Sequence, residues 1–151
     1  MTLVHASCVA FGDVGILIRG KSGSGKSSLC LRLIDGEGFG LGAKALRAEL
    51  VADDQVELSL RSKTLFAAAP AALAGKLEIR GLGIVSLPYR LEVALRLIVD
   101  LRPASEIERL PGAAQQRTVV ADVSLPCLAL NATETVSAAR LRAALGHYGL
   151  L

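Results

Sequence analysis

Apolar positions along the chain fall mostly in short runs bounded by glycines or charged pairs, a spacing that suits strands better than helices. Leu3 to Phe11 predicts a short strand and Phe11-Gly12-Asp13 a turn. Val14 to Ile18 is apolar throughout, as in a strand buried on both faces of a mostly parallel sheet. Leu50-Val51-Ala52 is a brief run ending on Asp53-Asp54, and Val56, Leu58 and Leu60 alternate with polar residues as in a half-exposed strand. Leu77 to Val85 holds two apolar pieces around Gly81-Leu82-Gly83. Leu95 to Leu101 and Arg117 to Val123 predict further strands.

Helical spacing is rarer. Leu29, Leu31, Leu33 and Ile34 predict a helix over Ser28 to Asp35, stopped by Gly36-Glu37-Gly38. Glycines 36, 38, 40 and 42 then bridge to a short helical piece around Lys44 to Glu49. The Ala-rich stretch from Ala67 to Ala74, around Pro70, reads as another short helix. Asn131 with Glu134 three residues on has the form of a capping box, predicting a helix from Ala132 to Gly146 with Val136, Ala139, Leu141 and Leu145 as its apolar stripe. Strands interleaved with helices imply an α/β fold, and with neither repeat nor composition break the chain reads as one domain, 1–151.

Composition narrows the partners. Hydrophobic residues make up 52% of the 151, enough to build a core. Aromatics are 3% with no Trp, so a stacking platform for single-stranded nucleic acid is poorly supplied. The net charge of +3 is spread over scattered basic residues, which argues against a nucleic-acid stripe and leaves room for a phosphate pocket. The apolar runs are far shorter than a membrane span, and the N-terminus lacks the charged start and apolar core of a signal. Cys8, Cys30 and Cys127 are not in metal-ligand spacing and read as small buried hydrophobes in a reducing compartment. The expectation is a cytoplasmic domain with neither nucleic acid nor membrane as partner.

One motif carries chemistry. Gly20, Lys21, Ser22, Gly23, Ser24, Gly25, Lys26 and Ser27 fit G-x-x-x-x-G-K-[ST] at every fixed position, between an apolar strand and a helix. Glycines let successive backbone N–H groups converge on a phosphate at the positive end of the helix. Lys26 can then reach the outer phosphates and the Ser27 hydroxyl can ligate Mg²⁺. Asp53 and Asp54, at the end of an apolar run, are placed as carboxylates that hold a metal and take a proton; the plain alternative is a polar turn. His5 precedes the loop strand, where a hairpin could bring it to the pocket; otherwise it is a half-buried strand histidine. Glu78 and Arg80 share one side of a strand, as functional groups or as a cross-strand ion pair.

Taken in order, His5, Val14 to Ser27 (VGILIRGKSGSGKS), Leu50-Val-Ala-Asp-Asp54 and Leu77-Glu-Ile-Arg-Gly-Leu-Gly-Ile84 resemble the catalytic domain of HPr kinase/phosphorylase. The phosphate loop is shared with many families, whereas the other two segments in this order are specific to this one. The resemblance runs from about His5 to Asn131 and implies a phosphate-loop sheet flanked by helices, of PEP carboxykinase-like type. It implies transfer of the terminal phosphoryl group of ATP, or in some members pyrophosphate, to a serine of HPr, the phosphocarrier of the sugar phosphotransferase system. In this reading Lys26 grips the transferred group. Ser27, Glu78 and Asp53 hold Mg²⁺, Asp54 is the base and His5 orients it. Arg109, in Glu108-Arg109-Leu110 where the family has Asp-Arg-Leu-Gly, stabilises charge. The family assembles as hexamers.

Departures from the family pattern change the expectation. The family's separate N-terminal domain has no counterpart in this sequence, so the chain reads as a short form. His5 is followed by Ala6 where the family has glycine, and a Gly-Ala-Gly stretch after Ile84 is gone. Pro126-Cys-Leu-Ala-Leu-Asn131 stands where the family has an arginine-bearing loop tied to dephosphorylation, with both arginines missing. Kinase activity is therefore expected ahead of phosphorylase activity. The alternative is a catalytically weak nucleotide-binding regulator of the phosphotransferase system; a small-metabolite kinase ranks last because no segment reads as a lid. Arg140, Arg142 and His147 read as solvated surface.

Overall fold

A computed structural model describes residues 1–151. At its centre Gly12, at φ +58, turns β2 (Ser7–Phe11) back onto β3 (Val14–Arg19) in register Ser7↔Ile18 to Phe11↔Val14. β3 then runs parallel to β9 (Val93–Leu101), and β9 parallel to β11 (Val123–Leu130). Every other pairing is antiparallel, so the sheet is mixed rather than mostly parallel. Its main path is β1-β5-β6-β9-β3-β2-β4, with β1 at Thr2–His5, β4 at Glu49–Ala52, β5 at Gln55–Arg61 and β6 at Thr64–Ala68. β7 (Lys76–Ile79) and β8 (Gly83–Ser86) form a separate hairpin, and β10 (Arg117–Val120) pairs with β11.

The α/β class stands, and both helices, α1 (Lys26–Asp35) and α2 (Ser137–His147), lie on one face. There Leu29, Leu33, Leu141 and Leu145 pack with Ile16, Ile18, Leu97 and Val99 in a core of 19 buried residues. On the other face the sheet curls over itself. Cys8, Leu17 and Ile98 meet Val56, Leu58, Leu65 and Ala67 of β5 and β6 in a second core of 16. The apolar run Val14–Ile18 is thus buried on both faces, by helices on one and by sheet on the other.

Two local devices bend the sheet. In β9 the register against β3 jumps from Gly15↔Leu95 to Ile16↔Leu97, so Arg96 is an extra, bulged residue. Leu95 consequently points into the second core and Leu97 into the first. Gly15 allows the close approach, because a Cβ there would sit 2.6 Å from the Ala94 carbonyl oxygen. The second device is a corner. β1 and β2 are split at Ala6, and β4 and β5 at Asp53-Asp54. The Ala6 N–H donates to the Asp54 carbonyl at 3.3 Å, and Asp54 takes a left-handed φ of +68 to make the turn.

Several expectations are corrected here. Lys44 to Glu49 is not helical: the Leu46 and Ala48 N–H groups donate to the carbonyls of Gly38 and Leu33, Glu49 already belongs to β4, and a buried arginine holds the segment. That arginine is Arg142, only 6% exposed rather than solvated; its Nε donates to the Leu46 carbonyl and its Nη2 to that of Gly36 at 3.0 and 2.9 Å. Arg140 and His147 are exposed as expected. Ala67 and Ala68 end β6, leaving a single 3₁₀ turn at Ala71–Leu73, because Pro70 drives the residue before it toward extended backbone. The second helix starts at Ser137, since the Asn131 side chain accepts the Thr133 N–H at 2.9 Å and closes a turn of its own. Arg117 to Val123 divides at Ala121-Asp122, both at positive φ, into a hairpin whose second strand continues through Pro126 to Leu130; this segment is strand, not loop.

Candidate functional site

β3 delivers the chain into the phosphate loop and α1 leaves it. Gly23 and Gly25 take φ +81 and +98, and Gly25 caps α1. A Cβ at Gly20 would crowd Ser24 Oγ and lie 3.1 Å from Leu101 Cβ and 3.2 Å from Ser24 Cβ. Lys26 is buried and its ammonium donates to the carbonyls of Gly20 and Lys21 at 2.9 and 3.0 Å, bracing the loop from within.

The corner brings the acidic pair to this loop. Ser27 Oγ lies 2.8 and 2.9 Å from the two oxygens of Asp53, which is 6% exposed. Asp53 also accepts from Ser7 Oγ at 2.7 Å and from the Glu78 N–H at 3.3 Å. Asp54 is the open member of the pair, 66% exposed, with its Oδ1 3.4 Å from His5 Nδ1; the same ring nitrogen is 3.1 Å from the Asp54 carbonyl oxygen. His5, Ser7, Ser27, Asp53, Asp54, Glu78 and Arg80 line one polar cleft of about 210 Å³ together with Ser22, Gly23, Gly25 and Lys26. Glu78 and Arg80 form no cross-strand pair.

Ser27, Asp53 and Glu78 present hydroxyl and carboxylate oxygens on one wall. These are hard donors of the kind that hold Mg²⁺ with phosphate oxygens and water completing the shell. No three His, Cys, Asp or Glu side chains cluster into a metal cage. Arg109 is not brought to this cleft. It lines a separate cavity of about 880 Å³ beneath the 102–117 segment, with Arg102, Glu108 and Tyr148. A third cavity, about 600 Å³, lies on the far side of the loop between Gly20–Ser24, Arg102, Pro103 and Asn131–Thr133.

Sequence reasoning missed Ser7 and the pair that stiffens the loop's base. Ser7 is the one hydroxyl in an otherwise apolar strand, a signal that was there to read. Arg19 grips Asp100 on β9 and the Cys127 thiol donates to the same carboxylate at 3.3 Å. Burial and the neighbouring Asp100 push the Cys127 thiol up to about 12. Full burial pushes the Cys8 and Cys30 thiols up as well, so all three cysteines are neutral.

Fold and site together define an α/β domain in which a phosphate loop faces an acidic pair set at a strand corner. A match to the model described as HPr Serine kinase C-terminal domain covers residues 1–145, and the chain belongs to that family. HPr kinase/phosphorylase of Geobacillus kaustophilus is 36% identical over 140 residues, 85% of this chain and 42% of that protein. The protein of the same name from Bordetella pertussis is 38% identical over 121 residues, 73% of this chain and 36% of its own. The chain thus spans less than half the length of these relatives. The Hpr(Ser) kinase/phosphatase structure from Coxiella burnetii superposes with a TM-score of 0.80 over 99% of this chain and 97% of that one, at 21% identity, and so shares the fold.

Proposed function

We propose that this domain is an ATP- and Mg²⁺-dependent serine kinase whose substrate is an HPr phosphocarrier. The observation that carries the reading is the cleft itself: Asp54, with His5 at 3.4 Å, faces the same space as Lys26 and Ser27 of the phosphate loop. A serine hydroxyl entering that space attacks the terminal phosphorus as the bridging P–O bond to ADP breaks, and its proton passes to Asp54. His5 donates to the Asp54 carbonyl and holds the carboxylate toward the incoming hydroxyl. Lys26 exchanges its loop carbonyls for phosphoryl oxygens and neutralises their charge. Ser27, Asp53 and Glu78 would hold Mg²⁺, which supplies charge neutralisation to the phosphates when bound. The 600 Å³ cavity beyond the loop has the size for a nucleoside, which favours ATP over pyrophosphate as donor. With Pro126–Leu130 in a strand lacking arginine, the phosphorylase direction is proposed to be weak or lost. A homo-oligomer, a hexamer as the family resemblance implies, and a cytoplasmic location belong to the same reading. No helix is long and apolar enough to cross a membrane.

The test is intact-mass analysis of HPr after incubation with the protein and Mg-ATP. One added phosphate on a serine, absent with Lys26→Ala, is expected. A second reading, a nucleotide-binding regulator of the phosphotransferase system, is favoured by Arg109 lying outside the cleft. Unmodified HPr alongside intact ATP binding would put that reading first.

A further inference from the structure

Ser7 has no exposed surface, yet it carries a hydroxyl in a strand whose other residues are Cys8, Val9, Ala10 and Phe11. A buried hydroxyl without a partner is costly, and Ser7 spends its only proton on Asp53 Oδ1 at 2.7 Å. The Cys30 thiol beside it is kept neutral by burial, so Asp53 is the anion it serves. Asp53 in turn is held on three sides: by Ser7 from the core, by Ser27 from the loop, and by the Glu78 N–H from the β7–β8 hairpin. Of these three donors only Ser7 sits wholly in the core. Ser27 and Glu78 are the more open of the three on the cleft that all of them line. No cation pairs with Asp53, since the Lys26 ammonium is committed to Gly20 and Lys21. Its charge is balanced by hydrogen-bond dipoles alone, which leaves it fit to meet a cation.

We infer that Ser7 is a positioning residue: it fixes the rotamer of Asp53 from inside the sheet, so that one carboxylate edge and the lone pairs of Ser27 stand ready for Mg²⁺ delivered with the nucleotide. The inference rests on the proposed reading of the site and assigns a role to a fully buried residue that acts through Asp53. It predicts that losing the Ser7 hydroxyl weakens the magnesium-dependent part of binding and spares the rest, because Lys26 and the loop N–H groups remain in place.

The experiment is calorimetric titration of the full chain with ATP, once with Mg²⁺ and once with EDTA, on wild type, Ser7→Ala, Asp53→Asn and the double variant, with melting temperatures alongside. Ser7→Ala is expected to lower affinity for Mg-ATP about tenfold and for metal-free ATP less than twofold. Added to Asp53→Asn, it should cost no further Mg-ATP affinity. Equal losses with and without metal, or a lower melting temperature with an unchanged ratio, would make Ser7 a packing residue and overturn the inference. A wild type indifferent to magnesium would overturn it too. HPr left unmodified by a protein with intact magnesium-dependent binding would sink the kinase reading alone and leave Ser7 its role.

Discussion

Arg19 Nε and Nη2 donate to the two oxygens of Asp100 at 2.7 and 3.0 Å, tying the strand that enters the phosphate loop to its parallel neighbour. Burial raises the Asp100 carboxyl, but the hydrogen bond and charge of Arg19 outweigh it and hold the group below its usual range. A carboxyl lowered in the folded state adds stability above its unfolded value and loses it as pH falls through the folded one. Asp100→Asn should therefore cost about 1–3 kcal/mol at neutral pH and less in acid, flattening the acid limb of stability against pH. Denaturant midpoints at several pH values check it; parallel curves for variant and wild type would show the pair contributes nothing.

Asp54 carries chemistry and geometry at once, and substitutions separate them. Asn tolerates the left-handed backbone at φ +68, so Asp54→Asn should keep the melting temperature and nucleotide affinity while transfer to HPr falls at least a hundredfold. Asp54→Val should in addition destabilise by about 1–2 kcal/mol, because a β-branched residue resists that conformation. Transfer rates and thermal melts on the two variants decide the matter. A rate retained by Asn removes Asp54 as the base.

Gly15 faces the bulge of β9, where an added methyl would lie 2.6 Å from both the Ala94 oxygen and Val93 Cγ1. Backbone cannot yield as a side chain does, so Gly15→Ala should cost about 2–3 kcal/mol and loosen the contact between β3 and β9. Hydrogen exchange at Leu17 and Ile18 would report it, and protection equal to wild type would refute it.

Arg142 staples the glycine-rich segment to α2 through two carbonyls. Arg142→Met keeps the aliphatic stem and strands both acceptors, at an expected cost of about 2–3 kcal/mol. Limited proteolysis should then cut between residues 36 and 46 sooner than in wild type. An unchanged cleavage rate would mean the segment is held by other contacts.

Local rules made some of this legible and not the rest. The phosphate loop is written in consecutive residues whose backbone demands are absolute, so Gly20 to Ser27 could be read and placed without the fold. The same holds for the Phe11-Gly12-Asp13 turn and the Gly81-Leu82-Gly83 hairpin. Arg142 looked like surface because its partners lie about a hundred positions away, and no local signal marks a carbonyl that waits for a guanidinium. Pro126 disguised β11, since proline argues against a strand, yet here it sits opposite Arg117 on a hairpin arm. His5, Asp53 and Glu78 were grouped only through the family resemblance and Ser7 was missed, because their gathering depends on the corner, which the alternation of apolar residues does not encode.

That corner sets where the chain tolerates a change of length. His5 and Asp54 face each other because two strand pairs change partner at the same point, Ala6 opposite Asp53-Asp54. One residue added or removed between Thr2 and Phe11, or between Leu50 and Arg61, would move every side chain beyond it to the opposite face and part the histidine from the aspartate. Between Phe39 and Ala45, by contrast, the chain is exposed and can lengthen or shorten without reaching either core. Variation in length among proteins built on this plan should accordingly collect behind the first helix and spare the corner.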